Sequence, residues 1–183
     1  MANAMIHATV MSIRPRLRFF VGLMFSLSSV THRTFRKHCR AAVLCTCSIS
    51  CSRMSRSSSF IGGEIVPEAI RDARASARRN GVENVEFLEG DAADVAAELA
   101  RRQLRPDVIC VDPPRKGLAP AVVDTIVRMA PRRVVYVSCD PGTLGRDVKL
   151  FGQTGYRLIR AAAVDMFPGT RHVESVVQLD RKN

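Results

Sequence analysis

From residue 61 onward the apolar and polar positions switch regularly between two periods. Residues 60–66 (FIGGEIV) form an apolar run that reads as a buried strand ending near Glu64. Pro67 then stands where a first helical turn tolerates a missing N–H, and Ile70, Ala73 and Ala77 recur at helical spacing until Gly81. Residues 85–88 predict a short strand leading into Gly90-Asp91, 92–102 an alanine-rich helix, and 107–111 an apolar strand closed by Pro113-Pro114. The same rhythm gives a helix over 121–129, a strand over 133–138 and a helix over 143–151 that stops at Gly152. Residues 156–164 and 173–179 predict two strands, antiparallel partners at a sheet edge. Strands alternating with helices specify a parallel, doubly wound α/β sheet. Ligands of such sheets bind at the carboxyl ends of the strands, and Glu64, Asp91, Asp112 and Cys139 fall at or just beyond those ends.

Residues 1–60 follow neither period. They hold none of the chain's 17 acidic residues but nine of its 28 Lys and Arg, so they carry +9 of the net +11 and the rest only +2. A basic chain favours polyanions such as RNA or anionic lipid, yet here the excess charge sits outside the patterned region. Arg14, Arg16 and Arg18 ahead of the apolar run 19–27 resemble the start of a signal peptide, and an Arg- and Ser-rich, acid-free leader suits an organelle transit peptide equally. The preferred reading is a third: a misplaced start or frame error ahead of a genuine domain. The expected division is therefore an atypical basic leader over 1–60, disordered or mis-assigned, and a domain over 61–183 long enough to bury a core. The apolar run is short for a bilayer span, so no membrane association and a cytoplasmic location are expected. Cys39, Cys45, Cys47 and Cys51 cluster in the leader; metal binding and chance enrichment both account for them, chance is preferred, and no metal site is expected.

Each candidate at a strand end has a chemical and a bland reading. Glu64, ending the second strand of a Rossmann-like unit, suits a ribose diol or a helix dipole. Asp91 suits an adenine amino group or a simple turn. Asp112 enters Pro113-Pro114-Arg115, where two prolines stiffen the backbone and remove two N–H donors; it faces a cofactor or flipped base, or merely ends a strand. Arg115 and Lys116 suit phosphate or solvent. Cys139 is either an inert thiol or a nucleophile next to a helix start near Thr143. Glu174 alone is a strand residue or ion-pair partner; paired with Cys139 it becomes a proton acceptor.

The segments VDPPRKGL (111–118), YVSCDPGTLGRD (136–147) and DMFPGTRHVESVV (165–177), in this order and spacing, resemble the S-adenosylmethionine-dependent RNA uracil-C5 methyltransferases. EIVPEAI (64–70) and EGDA (89–92) match that family's second and third cofactor segments, and the likeness covers residues 61–182. It implies a Rossmann-like class I methyltransferase sheet, S-adenosylmethionine as cofactor and RNA as partner, with a uridine of 23S rRNA as the preferred target and tRNA as the other. It further implies Cys139 as nucleophile, Glu174 as base, and Glu64, Asp91 and Asp112 as cofactor residues. The target uridine has to leave its stack to reach the thiol.

The family pattern has a first strand followed by a glycine-rich loop just before the segment matching 60–64. Gly22 is the sole glycine in 1–60, so the loop is missing. Residues 41–47 suit a strand but lead into no such loop, and the expected sheet therefore lacks its usual first strand. Relatives also carry a preceding RNA-binding region that has no counterpart in 1–60. The expectation is the catalytic C-terminal part of such an enzyme; the alternative is a non-catalytic fragment with residual RNA binding.

Overall fold

Backbone pairing, more than any single helix, organises the chain. The computed structural model describes residues 40–45, 59–165, 169–170 and 173–182, with the backbone alone described at 40–45. They belong to a unit spanning Cys39–Asn183. Its strands are β1 (Arg40–Cys45), β2 (Ser59–Glu64), β3 (Val85–Glu89), β4 (Val108–Asp112), β5 (Arg133–Ser138), β6 (Tyr156–Val164) and β7 (Glu174–Arg181). Its helices are α1 (Pro67–Arg79), α2 (Ala92–Arg101), α3 (Pro120–Met129) and α4 (Pro141–Gln153). The strands form one seven-stranded sheet in the order β3-β2-β1-β4-β5-β7-β6. β7 runs antiparallel between β5 and β6, and the other pairs are parallel.

The elements from 59 onward match the sequence pattern to within a few residues. The first strand is a correction. Arg40–Cys45 pairs with β2 on one side and β4 on the other, so the central position expected to be empty is filled from within residues 1–60. A central parallel strand needs no alternation and only a short apolar run. The run RAAVLC has no turn chemistry to frame it, so periodicity could not establish it. The remaining leader readings, with Cys39, Cys47, Cys51 and the arginine-flanked run 19–27, lie outside the described residues. Among the described residues no helix is long and apolar enough to cross a membrane.

The core lies between the sheet and α2, α3 and α4, with Leu99, Ile109, Ile126, Val134, Phe151 and Leu179 at or below 1% exposure. Right-handed crossovers place α1, which joins β2 to β3, on the opposite face. Two features set the spacing and register that the site depends on. At Gly63 in β2 an added Cβ would stand 2.8 Å from Val95 Cγ1, so the glycine lets α2 approach the sheet closely. At the far end of the sheet, buried Arg133 on β5 grips Asp180 on β7 through Nε and Nη2 at 2.7 and 2.8 Å. These two residues are direct partners in the ladder. Burial works against the Asp180 carboxylate, but the Arg133 fork outweighs it and holds its pKa below the ordinary value.

Gly63→Ala should push α2 off β2 and destabilise the domain by roughly 1–3 kcal/mol. Urea unfolding measures this; an unchanged midpoint would mean that α2 does not sit against the strand as described.

Candidate active site

Cys139 follows β5 at a tightly held corner. The buried Ser138 hydroxyl donates to Asp140 O at 2.9 Å and accepts from Asp140 N–H at 3.0 Å, bracketing the cysteine. Asp140 then caps α4 by accepting from Thr143 N–H at 2.9 Å, and Pro141 occupies the first helical turn. The helix thus begins two residues earlier than the sequence pattern indicated, because the Asp-Pro pair is a cap and not a free turn. Cys139 is half-buried.

The β5–β7 register pairs Ser138 with Ser175. Cys139 and Glu174 directly adjoin this last pair of the ladder, Cys139 just beyond the end of β5 and Glu174 at the start of β7. Glu174 is half-buried at the start of β7. Two residues 35 positions apart in the chain, Cys139 and Glu174, therefore flank the same end of the β5–β7 ladder.

Asp112 ends β4, on the other side of β5. Burial, followed by repulsion from Glu174, pushes its carboxyl up to about 6. Glu174 is itself raised by burial, and the Arg115 guanidinium opposes that rise. Asp140 is held below the ordinary carboxylate range, first by the Thr143 N–H, with Arg115 as a minor contributor. The Arg115 charge thus reaches carboxylates on both sides of the Cys139 corner.

The loop carrying Arg115 is fastened to α4. Thr143 Oγ1 donates to Arg115 O at 2.9 Å, and Arg146 Nη2 donates to Lys116 O at 2.9 Å and Leu118 O at 3.2 Å. Asp147, with no exposed surface, accepts from Leu118 N–H at 2.8 Å, Tyr136 Oη–H at 2.6 Å and Arg146 Nε–H at 2.8 Å. Burial, reinforced by this carboxylate, drives the Tyr136 phenol far above its ordinary value, so it stays a donor. Gly117 turns at φ +74°, and a Cβ there would lie 2.5 Å from both Asp147 Oδ2 and Arg146 Nη2. Sequence reasoning missed Tyr136, Arg146 and Asp147, and took Thr143 only as a helix start. A signal existed: Asp147 lies on the same helical stripe as buried Leu144 and Phe151, and an acid on an apolar stripe has to find donors.

The other candidate acids stand at the switch in strand order. The register Leu44↔Gly63 and Cys45↔Asp112 puts Glu64, Cys45 and Asp112 at one level across β2, β1 and β4. Glu64 and Asp112 are thus two strand spacings apart, roughly 10 Å. Glu64 is buried, and among the described residues its carboxylate accepts one hydrogen bond, from Val66 N–H at 2.9 Å. Asp91 is exposed and its Oδ1 caps α2, accepting from Ala93 and Asp94 N–H at 2.8 and 2.9 Å. Asp91 and Glu64 are linked through the backbone, Gly90 N–H donating to Glu64 O at 3.0 Å. Carboxylate acceptors at a switch point, Glu64 buried and Asp112 half-buried, fit the hydroxyl and amino donors of a nucleoside. The connection from β1 to β2, residues 46–58, contains no glycine and lies outside the described residues. Among the described residues no group of His, Cys, Asp and Glu could hold a metal ion.

Comparison with known proteins places these features in context. The family model for tRNA (Uracil-5-)-methyltransferase matches residues 52–182. An uncharacterized RNA methyltransferase of Halalkalibacterium halodurans is 52% identical over 122 residues, covering 67% of this chain and 27% of that protein. One from Porphyromonas gingivalis is 50% identical over 123 residues, covering 66% and 26%. The chain spans little more than a quarter of the length of the curated relatives it matches. Among solved structures, Pyrococcus abyssi tRNA (uracil-54, C5)-methyltransferase in complex with S-adenosyl-L-homocysteine superposes with a TM-score of 0.67 at 31% identity. That match covers 84% of this chain and 37% of the other. TrmN from Thermus thermophilus, at 21% identity and a TM-score of 0.64 over 88% of this chain and 48% of its own, shares the fold. β1 precedes the matched segment, so the sheet's central strand comes from residues the family model does not cover.

The raised Asp112 carboxyl has a stability consequence. Its folded pKa, about 6, exceeds the ordinary 3.8, so the folded state loses stability as pH rises through that window. Asp112→Asn should therefore raise the unfolding free energy by roughly 1–3 kcal/mol at pH 8 and leave it nearly unchanged below pH 4. Denaturant titration at both pH values checks the sign; equal effects at both would contradict the buried, raised carboxyl.

Proposed function

Because the chain belongs to the tRNA (uracil-5-)-methyltransferase family, we propose that it is the catalytic part of an enzyme methylating C5 of a uridine in RNA. What supports this reading is the β5–β7 register, whose last pair, Ser138 with Ser175, adjoins Cys139 and Glu174 in the chain at the carboxyl end of β5. S-adenosylmethionine, when bound, supplies the methyl group. Glu64 and Asp112 are the acceptors that would hold its nucleoside, with Asp91 at the rim through the oxygen not used in capping.

Uracil C5 is a weak nucleophile, and the protein's part is to change that. The Cys139 thiolate adds to C6, forming a C–S bond and moving the C5–C6 π pair onto C5, which can then accept a methyl group. Glu174 removes the C5 proton onto its carboxylate. The C5–H electron pair re-forms the C5–C6 double bond, the C6–S bond breaks, and Cys139 leaves as a thiolate. A half-buried base whose pKa is raised by burial holds that proton better than a solvated carboxylate would. As substrate we propose tRNA, on the strength of the family model and the Pyrococcus abyssi likeness; 23S rRNA is the other candidate. The alternative, a non-catalytic fragment that retains some RNA affinity, is favoured by the glycine-free connection 46–58.

RNA containing 5-fluorouridine tests the proposal, since fluorine at C5 cannot be removed as a proton. With S-adenosylmethionine present, the protein should form a denaturation-resistant adduct with this RNA, and Cys139→Ala should abolish it. An adduct that survives Cys139→Ala would remove this cysteine from the chemistry. No adduct, and no heat on titrating S-adenosylmethionine, would favour the fragment reading.

A further inference from the structure

The last pair of the β4–β5 ladder is Val111 with Tyr136, so both Asp112 and Cys139 lie past the point where backbone pairing relates the two strands. Side-chain contacts made by α4 take over from there. Thr143 stands in the first turn of that helix. Its hydroxyl has one proton to donate and lies 2.9 Å from Arg115 O, against 3.3 Å from Asp140 O and 3.4 Å from Asp140 Oδ1. The loop carbonyl is therefore its acceptor. The Thr143 N–H donates to Asp140 Oδ1 at 2.9 Å. Asp140 is in turn tied through its own N–H and carbonyl to the buried Ser138 hydroxyl, with Cys139 between the two. Thr143 thus touches both the loop that leaves Asp112 and the corner that carries the thiol.

The hydroxyl is not what keeps the loop on the helix. Arg146 holds Lys116 O and Leu118 O, and Asp147 holds Leu118 N–H, without it. Nor does it start the helix, since the cap uses the Thr143 N–H. What it adds is a direct link between the part of the loop nearest Pro113-Pro114 and the residue beside Cys139. We propose that Thr143 is a positioning residue for methyl transfer, setting the wall that begins at Asp112 against the corner that carries Cys139. This rests on the reading of Cys139 as the nucleophile and Asp112 as a cofactor residue. A uridine bonded through C6 to the thiol is placed by the corner, and a methyl donor held at Asp112 is placed by the wall. The new carbon–carbon bond needs both placements to agree, and a misplacement of about 1 Å costs on the order of 100-fold in rate. Thiol addition and proton removal, by contrast, involve Cys139 and Glu174 at the end of the β5–β7 ladder.

Thr143→Val keeps the size and branching of the side chain and removes the hydroxyl; Thr143→Ser keeps the hydroxyl. Two reactions separate the steps. In heavy water without S-adenosylmethionine, addition of Cys139 to C6 lets C5 take a deuteron from solvent. Removal of the original proton by Glu174 and expulsion of the thiolate then return uridine deuterated at C5. With S-adenosylmethionine, the same RNA gains a methyl group. At saturating RNA and S-adenosylmethionine, Thr143→Val should slow methylation by about tenfold or more and leave deuterium incorporation nearly unchanged. Thr143→Ser should restore methylation. Equal losses in both reactions, or an equal loss of methylation in Thr143→Ser, would overturn the proposal. Amide hydrogen exchange read by mass spectrometry tests the link without RNA or cofactor. Residues 115–118 and 139–144 should both exchange about fivefold faster in Thr143→Val, the scale of one lost hydrogen bond, and at the wild-type rate in Thr143→Ser. Unchanged exchange in either segment of Thr143→Val would also overturn it. Should Thr143→Val fail to fold, Thr143→Ala is read by the same criteria. A wild-type protein that neither deuterates nor methylates uridine would count against the functional reading and remove the methyl-transfer role with it; amide exchange then still decides whether the hydroxyl couples loop and corner.

Discussion

The bidentate pair between Arg133 and Asp180 sits at the opposite end of the sheet from the thiol, yet it constrains what happens there. Arg133 and Asp180 face one another in the β5–β7 ladder, and their fork geometry tolerates no slip. Counting along that ladder from the pair brings Ser138 opposite Ser175, the last pair before Cys139 and Glu174. A slip of one residue would turn every β7 side chain to the other face, carrying Glu174 away from the cysteine. Buried Val176, Val177, Gln178 and Leu179 oppose such a slip as well, since β7 lies between two strands with no spare edge. Register is thus fixed by packing and charge at one end of the ladder and sets the placement of the candidate residues at the other.

The second constraint is the buried carboxylate of Asp147. It accepts from a tyrosine on β5, from the backbone of the loop after β4, and from its own neighbour Arg146. A buried carboxylate is costly unless its lone pairs are filled, and here they are filled by groups from separate elements. That cost gives the arrangement its specificity: only one placement of the loop satisfies the oxygen atoms. The loop has two prolines at its start and a glycine at its tightest point, so little of its conformation is left to chance. The result is a rigid corner in which a proline turn, a helix cap and a strand end meet.

The cofactor side is built more sparely. Glu64 and Asp112 flank the central strand at the switch in strand order, where a doubly wound sheet opens a crevice. Glu64 is buried and Asp112 half-buried. The central strand itself comes from residues that follow neither helical nor strand periodicity and that precede the segment matched to the family. The sheet therefore has its usual seven-strand order, with a middle strand for which the chain's pattern offers little support.

Much of this was legible in the sequence. Prolines at helix starts, glycines at helix ends and continuous apolar runs specify α1 to α4 and β2 to β7, because these signals act within a few residues of one another. The end-of-strand placement of Glu64, Asp91, Asp112 and Cys139 follows from the same local rules. Arg40–Cys45 was not settled that way, since a central strand is defined by the neighbours that pair with it on both sides. Nor could local pattern pair Ser138 with Ser175, reveal that Asp91 and Asp140 spend their carboxylates on helix caps, or bring Tyr136, Leu118 and Arg146 to Asp147. Those relations depend on strand register and on how a buried charge finds its donors. Both are fixed only when distant segments pack together.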